Sequence, residues 1–345
     1  MPMTFDSLHL GKLLLSLLCC LSLLACQPAD IPPIIETPAV QAQMSAKVDL
    51  NDLCNNLATQ MQAVHSQRTV LALQEMNKDL TVCLPLMETE QQFQLLNLST
   101  QMYQQFFAIQ RSPEQQAAFE DYVSGAGAHP TLQQSHFEHM HLRDQYLVKH
   151  QGQAYLEVIH WSDQHTTYRR HPQYLARIFA PYLPEAEQSF IVALANQNTS
   201  PLLRDGRLQV EPMVLADRAL FWEKYLAKYP QSRYFRDAQY LYQAYSQLLF
   251  IGFEDRQVLQ YDQGSTSVDG STLAAVQYLA QQPRSQLTRQ AQLFLDFLEQ
   301  HSTAPLENLA AQQQQAVRAL RQHLNLTQVS FNRRINCFQD AVCLR

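Results

Sequence analysis

The chain has 345 residues, of which 46% are hydrophobic and 16% are charged, and its formal net charge is −6. This content is ample for a core, and the length allows two domains or one elongated array. A negative charge without a basic cluster argues against nucleic-acid binding. Only eight glycines occur, and none lies between Lys12 and Ser124. Because tight hairpin turns and phosphate-binding loops need glycine, this scarcity predicts helices.

Residues 1–25 have the pattern of a cleavable secretory signal. Lys12 precedes twelve residues, Leu13 to Leu24, that are all Leu, Ser or Cys. As a helix they would span about 18 Å, which is short of the ~30 Å hydrocarbon core of a membrane. A basic residue, a short apolar run and a small residue at its end indicate export and cleavage.

The residues Leu23-Leu24-Ala25-Cys26 at the end of this segment resemble the lipobox of bacterial lipoproteins. The resemblance implies that Cys26 is diacylated and becomes the first residue after cleavage. It also implies sorting to the outer membrane, because Gln27 stands where Asp would retain the protein in the inner membrane. Two or more acyl chains anchor a protein stably, so we expect a periplasmic body on a lipid anchor. An ordinary signal peptide with an incidental cysteine is the alternative.

Residues 26–47 are predicted to be a tether, because four prolines occur there without a periodic apolar pattern. From residue 48 onward, apolar residues recur at spacings of three and four, which predicts helices. The Gly-Ala-Gly-Ala stretch near Pro130 is the clearest interior break. We therefore expect an N-terminal helical subdomain at 48–124 and a C-terminal helical-hairpin repeat domain at 131–345.

Four cysteines follow the tether: Cys54, Cys83, Cys337 and Cys343. An even count in an oxidising periplasm favours two disulfides, for which three pairings exist. A bridge from Cys54 to Cys83 across a helical hairpin that turns near Ser66 is the simplest geometry. Cys337 and Cys343 would then close a small loop in the tail. Metal binding is the alternative, although none of these residues has CxxC spacing.

The C-terminal half contains an internal repeat. Residues 225–239 read YLAKYPQSRYFRDAQ and residues 278–292 read YLAQQPRSQLTRQAQ, which share eight of fifteen positions at an offset of 53. In each copy a proline ends one helix, and a serine two residues later can cap the next helix. A third Tyr-Leu-Ala at 174–176 is a candidate decayed copy. Stacked helical hairpins bury a continuous core, so the predicted fold class is all-α, a helical-hairpin repeat array without a substantial sheet.

Residues 221–245, FWEKYLAKYPQSRYFRDAQYLYQAY, resemble the tetratricopeptide-type repeats of periplasmic envelope-assembly proteins. The shared features are an aromatic-rich helix, a Tyr-Pro-x-Ser turn at 229–232, and a second helix with Ala238 and several tyrosines. The offset of 53 differs from the 34-residue period of those repeats, and the Gly expected in the second helix is missing. The resemblance implies paired helices and a surface for protein–protein interaction.

The aromatic residues of this hairpin are the candidates for contact with a partner. We expect Trp222, Tyr225, Tyr240 and Tyr242 to lie on a concave surface, where amphipathic aromatic side chains bind partners effectively. The alternative is that they pack between neighbouring hairpins.

Histidine is the enriched reactive residue type, with twelve in the chain. His136, His139 and His141 are weak candidates for metal binding, because spacings of about one helical turn bring imidazoles to one face. A solvated helix face is the alternative. No GxSxG, SxxK or Walker motif occurs, so no catalytic residue and no cofactor is assigned.

These features predict an outer-membrane-anchored periplasmic lipoprotein that acts as a non-enzymatic helical scaffold for protein–protein interaction. Its expected partners are the membrane, through the lipid on Cys26, and another protein of the cell envelope. The alternative function is that of a cell-wall enzyme or a metal-binding periplasmic protein that uses the histidines between His136 and His171.

Overall fold

The computed structural model describes residues 50–125, 129–160, 166–204, 207–253, 256–262, 265–300, 309–331 and 337–343. The predicted signal segment, Cys26 and the tether at 26–47 lie outside these residues. Residues Val48–Arg345 form one compact unit. The division predicted between residues 124 and 131 falls inside this unit.

Helices make up most of the described residues, so the all-α class predicted from the scarcity of glycine is confirmed. In chain order they are α1 (Leu50–Gln62), α2 (Val70–Cys83), α3 (Thr89–Phe106), α4 (Pro113–Ser124), α5 (Pro130–His139), α6 (Leu142–Lys149), α7 (Gln173–Ile178), α8 (Glu185–Gln197), α9 (Pro212–Lys228), α10 (Phe235–Phe250), α11 (Gly270–Ala280), α12 (Gln286–Gln300) and α13 (Leu309–His323). Within the described ranges, no helix combines the length and the apolar character that crossing a membrane requires.

Helices α1 and α2 form a hairpin that is closed by the predicted disulfide between Cys54 and Cys83, whose Cα atoms lie 5.4 Å apart. The chain turns between residues 63 and 69, where Ser66 was expected to mark the turn. Leu57 of α1 and Leu73 of α2 are fully buried. Burying a leucine side chain contributes about 1.5–3 kcal/mol, so the hairpin is held by its apolar face as well as by the covalent bridge.

Strands are confined to four antiparallel two-stranded hairpins in the described residues. They pair β1 (Leu156–His160) with β2 (Thr166–Arg170), β3 (Leu203–Arg204) with β4 (Arg207–Leu208), β5 (Gly252–Phe253) with β6 (Arg256–Gln257), and β7 (Gln260–Asp262) with β8 (Ser265–Ser267). In the longest hairpin Leu156 lies opposite Arg170, and His160 lies opposite Thr166. Each hairpin belongs to a connection between two helices, and these hairpins were not predicted from the sequence.

The internal repeat corresponds to stacked helical hairpins. Helix α9 ends before Pro230 and α10 begins after Ser232, while α11 ends before Pro283 and α12 begins after Ser285. Helix α9 packs against α10 and α11 packs against α12, and α11 also packs against α9. The Tyr-Leu-Ala at 174–176 lies in α7, which packs against α8 in the same manner. Both predicted hairpins are therefore present, and a third precedes them.

The β-hairpins explain the long repeat offset. Residues 251–269, which include β5 to β8, separate the α9–α10 hairpin from the α11–α12 hairpin. A direct connection between two such hairpins would need only a few residues. The offset of 53 residues therefore corresponds to the length of one helical hairpin plus a connection that contains β-strands.

Carboxylates from the preceding hairpin accept hydrogen bonds at or just before the start of the second helix of the next one. Glu187 of α8 accepts hydrogen bonds at 3.0 Å from Ser232 Oγ and from the Arg233 N–H, where α10 begins. Glu223 of α9 accepts hydrogen bonds from Ser285 Oγ and, at 2.6 Å, from the Gln286 N–H, where α12 begins. The first N–H groups of a helix have no partner within the helix, so Glu223, which accepts from Gln286 and Leu287, caps α12. Arg233 precedes Tyr234, the N-cap of α10, so Glu187 stabilises the turn that leads into α10.

Candidate functional site

Two of the four aromatic residues proposed to contact a partner are part of the core. Trp222 is fully buried and Tyr225 is 3% exposed. Phe190 of α8 lies against both rings, with centroids 5.1 Å from Trp222 and 5.8 Å from Tyr225. Trp222 Nε1–H donates to Gln197 Oε1 at 3.0 Å, which satisfies its one polar atom. The expectation that they lie on an open concave surface is wrong, because α8 covers this side of α9.

Tyr240 and Tyr242 are half-buried on α10. The Tyr240 hydroxyl donates to the Ser330 carbonyl at 3.3 Å, and its ring centroid lies 6.1 Å from that of Phe338. The Tyr242 hydroxyl donates to Gln290 Oε1 at 3.5 Å. Segments from the C-terminal part of the chain therefore contact both rings, and the four residues do not form one shared exposed face.

The histidines singled out from the sequence make local contacts at helix ends. His141 Nδ1 accepts from the Arg143 N–H at 3.0 Å and caps α6. His139 Nδ1–H donates to the Ser135 carbonyl at 2.7 Å, and His136 Nδ1 lies 3.7 Å from Asp121 Oδ2. Across the ranges that the structure describes, no group of three or more His, Cys, Asp or Glu side chains is placed to hold a metal ion.

The second predicted disulfide closes the segment Cys337–Cys343, which we call the C-terminal loop. Asn198, at the end of α8, holds this loop through its Nδ2–H groups, which donate to the Cys337 carbonyl at 2.9 Å and to the Asp340 carbonyl at 2.6 Å. Arg169 of β2 donates from Nη1 to the Gln339 carbonyl at 2.9 Å. The last described residues are thus fixed to the middle of the chain.

Arg170 of β2 is the centre of this attachment. Its side chain is 3% exposed, and its Nη2 lies 2.7 Å from Asp340 Oδ2. Nη1 donates to Ser99 Oγ of α3 at 2.8 Å, and the guanidinium lies 5.0 Å from the centroid of the Tyr174 ring. A buried charge is tolerated only where it is paired and hydrogen-bonded, and Arg170 has such partners at Nη1 and Nη2, whereas its Nε has none among the described residues.

The hydroxyl groups of the two tyrosines beside Arg170, Tyr103 and Tyr174, stay protonated and uncharged. Burial raises the pKa of Tyr174 and of Tyr103, and the nearby Arg170 charge only partly opposes this effect. The Tyr103 hydroxyl donates to the Ala154 carbonyl at 2.7 Å and accepts from Asn77 Nδ2–H at 3.2 Å. Tyr103 is therefore fixed by hydrogen bonds to two other parts of the chain.

Two clefts flank the C-terminal loop and follow the same face of α3. One has a volume of about 300 Å³ and includes Arg169, Arg170 and Phe107, and the other has a volume of about 600 Å³ and includes Phe93 and Arg233. Both are lined by Thr100 and Gln104. We call this combined surface the α3 groove. Its exposed polar residues on α3 are Asn97, Gln101 and Gln104.

Sequence reasoning did not identify Arg169, Arg170 or Asp340. The available signal for Asp340 was its position inside the predicted Cys337–Cys343 loop. Nothing in the sequence indicates that Arg170 and Asp340 meet, because 170 residues separate them along the chain.

Comparison with known proteins gives no family for the chain. No protein-family model matches it, and no curated protein or solved structure resembles it significantly. Function must therefore be inferred from the residues themselves.

Proposed function

We propose that the chain is an outer-membrane-anchored periplasmic lipoprotein that acts as a non-enzymatic helical scaffold for another envelope protein. Leu23-Leu24-Ala25-Cys26 supports the lipid anchor, and Gln27 supports the outer membrane as its destination. Two disulfides in the folded body are consistent with an oxidising compartment.

The observation that carries the scaffold role is the α3 groove. Its floor contains aromatic rings, and its α3 side presents Asn97, Gln101 and Gln104 to solvent. Primary amides both donate and accept hydrogen bonds, so they suit the backbone of a bound polypeptide. The groove is already formed without a partner, because Arg170 and Asp340 fix the C-terminal loop in place. Pre-organisation of this kind lowers the entropic cost of binding.

The three arginines that line the groove are paired with carboxylates, which suits binding better than proton transfer. Arg170 is paired with Asp340, Arg169 with Glu157, and Arg233 with Glu90. A general acid or base needs a titratable group within reach of the reacting atom and a pKa near the working pH. Arginine does not meet that requirement, because it stays protonated in proteins.

Metabolic labelling with palmitate tests the anchor. The wild-type chain should incorporate label into a membrane fraction, and Cys26→Ala should abolish it and leave an uncleaved precursor. Cys19→Ala, in the same apolar segment, is the matched control and should be labelled normally. Gln27→Asp should move the labelled protein to the inner membrane. Persistent labelling of Cys26→Ala would overturn the lipid assignment.

Site-specific photocrosslinking in intact cells tests the scaffold role. A photoreactive residue at Gln101, inside the groove, should give a discrete adduct with one envelope protein. The same residue at Gln105, which is exposed on α3 but does not line the groove, is the control and should give none. Equal adducts at both positions, or no adduct at Gln101, would argue against the groove as the binding surface.

A further inference from the structure

A second cavity lies at the ends of the helical hairpins, away from every residue singled out from the sequence. It has a volume of about 530 Å³ and is bordered by the ends of α9, α10 and α11 together with the neighbouring β-hairpins. We call it the hairpin cavity. Its walls include Leu208, Val210, Leu215, Leu249, Phe253 and Gln257. This volume falls within the range of small-molecule sites, about 300–1,000 Å³.

The walls of the hairpin cavity are mainly apolar. Leu215 and Leu249 are each 1% exposed, and Leu248 is 2% exposed. Gly252 allows α10 to turn into β5 at this place, because its φ of 97° is strained for a residue with a side chain. Leu208, Val210 and Val258 are half-buried, so they keep apolar surface that a ligand can cover, and burying apolar surface favours binding. The cavity therefore favours an apolar ligand body.

Asp269 is the one ionisable residue among the described residues that line the cavity. Its Oδ1 accepts from the N–H groups of Ser271 and Thr272 at 3.0 Å each, and its Oδ2 accepts from Thr272 Oγ1 at 2.6 Å. Burial acts to raise the pKa of Asp269, but these hydrogen bonds outweigh it and hold the pKa below its ordinary value. The carboxylate is thus committed to the start of α11, and the cavity offers no counter-charge to an anion.

Gln257 supplies the specific polar feature of the cavity. Gln257 is half-buried and lines the cavity, and its Oε1 atom has no hydrogen-bond partner among the described residues. The Oε1 atom itself is closed to solvent, so a ligand contacts it after the amide turns toward the cavity. Gln313 also lines the cavity, and its Nε2–H donates to the Leu259 carbonyl at 3.2 Å. A buried acceptor without a partner is unfavourable, so Gln257 gains most from a ligand that brings a hydrogen-bond donor.

We propose that the hairpin cavity binds an uncharged molecule with an apolar body and one N–H or O–H group that donates to Gln257. The apolar walls favour a ligand with an apolar body, and Gln257 Oε1 favours a ligand with a hydrogen-bond donor. The Asp269 carboxylate, which is negatively charged and already hydrogen-bonded to α11, disfavours anions. This binding site is independent of the lipid anchor and of the α3 groove.

Fluorescence titration with three related probes tests the site. N-phenyl-1-naphthylamine is neutral and apolar and carries one N–H group. Its N-methyl derivative lacks that donor, and 8-anilino-1-naphthalenesulfonate adds a negative charge. The chain from residue 26 onward, carrying Cys26→Ser so that no acyl group competes for the cavity, is titrated without detergent. Saturable binding of the first probe, about two- to tenfold tighter than of the second, is expected. The sulfonate should bind more weakly than both.

Three variants connect the binding to the cavity. Gln257→Leu should remove the preference for the N–H probe over its N-methyl derivative while both still bind. Val210→Trp should fill the cavity and weaken both probes at least about tenfold. Val192→Trp, on the outer face of α8 where the valine is 37% exposed, is the matched control and should bind like the wild type. Circular dichroism establishes that each variant is folded.

Two results would overturn the proposal. One is equal binding of the N–H probe to wild type and to folded Val210→Trp, which would place the probe elsewhere. The other is the absence of saturable binding to the wild type. A retained N–H preference in Gln257→Leu would refute the role of Gln257 even where Val210→Trp does not fold.

Discussion

At the scale of single residues, buried charges in this chain are satisfied by partners that are distant in sequence. Asp144 is fully buried and accepts from Arg111 Nε at 2.8 Å and from Arg111 Nη2 at 2.7 Å. Arg170 depends on Asp340 in the same way. Such pairs add little net stability compared with apolar replacements, but removing one partner costs about 3–5 kcal/mol because the other charge stays buried. They therefore restrict the chain to this arrangement.

His171 is a half-buried titratable residue whose neutral form the fold prefers. Its Nδ1 accepts from the Gln173 N–H at 3.2 Å. Burial is the main cause that lowers the pKa of His171, Glu157 acts against it, and the charges of Arg169 and Arg177 reinforce it. A protonated Nδ1 could not accept the backbone hydrogen bond, so protonation and folding oppose each other at this position.

The stability of the protein should therefore decrease when His171 is protonated. In the unfolded chain the histidine has a pKa of about 6.5, and in the folded chain the pKa is lower. The unfolded state thus binds more protons than the folded state below about pH 6.5. The contribution of His171 to the free energy of unfolding is therefore complete above about pH 6.5, and it declines below that pH by at most about 1.4 kcal/mol per pH unit. His171→Asn, which keeps an acceptor, should give a shallower decline in urea unfolding. Parallel pH profiles of wild type and variant would contradict the assignment.

At the scale of elements, proline and serine positions predicted the helical hairpins correctly because both act locally. Proline lacks a backbone N–H and so ends the first helix, and a serine two residues after the proline favours the start of the next helix. The β-hairpins were missed for a physical reason as well. Strands β3 to β8 have two or three residues each, which is too short to show an alternating pattern. This reason does not extend to β1 and β2, which have five residues each. Scarce glycine excludes large sheets without excluding short ones.

Because Glu187 and Glu223 accept hydrogen bonds from the next hairpin along the chain, we expect successive hairpins to be coupled. Glu187→Ala should lower the free energy of unfolding by about 1–3 kcal/mol, because Ser232 and the Arg233 N–H lose their acceptor. Hydrogen exchange should accelerate at the start of α10, in the next hairpin, rather than in α8. Glu223→Ala should have the same effect at the start of α12.

Glu185→Ala is the matched control for these variants. Glu185 lies in the same turn of α8 as Glu187, but it contacts the exposed Lys228 side chain and the Tyr229 hydroxyl. Exchange at the start of α10 should be unchanged in this variant. Faster exchange confined to α8 in Glu187→Ala would show that the carboxylate does not couple the hairpins.

At the scale of the whole molecule, the candidate site was much harder to predict than the fold. The pairing of Cys54 with Cys83 followed from a helical hairpin with a central turn, and that of Cys337 with Cys343 from their proximity in sequence. The α3 groove depends instead on contacts among α3, β2 and the C-terminal loop, which no local pattern reveals. Trp222 illustrates the same limit, because helical spacing does not tell which neighbouring helix covers an aromatic face.

The C-terminal loop should behave as one energetic unit with Arg170. Opening the disulfide with Cys337→Ala/Cys343→Ala removes about 2 kcal/mol of loop-closure stabilisation and also loosens the position of Asp340. Asp340→Asn should cost about 3–5 kcal/mol, because Arg170 stays buried without its counter-ion. If the closed loop is what positions Asp340, the two changes act on one interaction. The combined variant should then lose less stability than the two losses added together.

A double-mutant cycle by urea unfolding measures this coupling. The comparison cycle replaces Cys54 and Cys83 by alanine together with Asp340→Asn. That disulfide joins α1 to α2 and shares no hydrogen-bond partner with Asp340, so its effect should add to that of Asp340→Asn within about 0.5 kcal/mol. Non-additivity only in the Cys337–Cys343 cycle would mean that the disulfide orders the ion pair. Additivity in both cycles would mean that Arg170 and Asn198 hold the loop without the disulfide, and the expectation that loop closure positions Asp340 would be refuted.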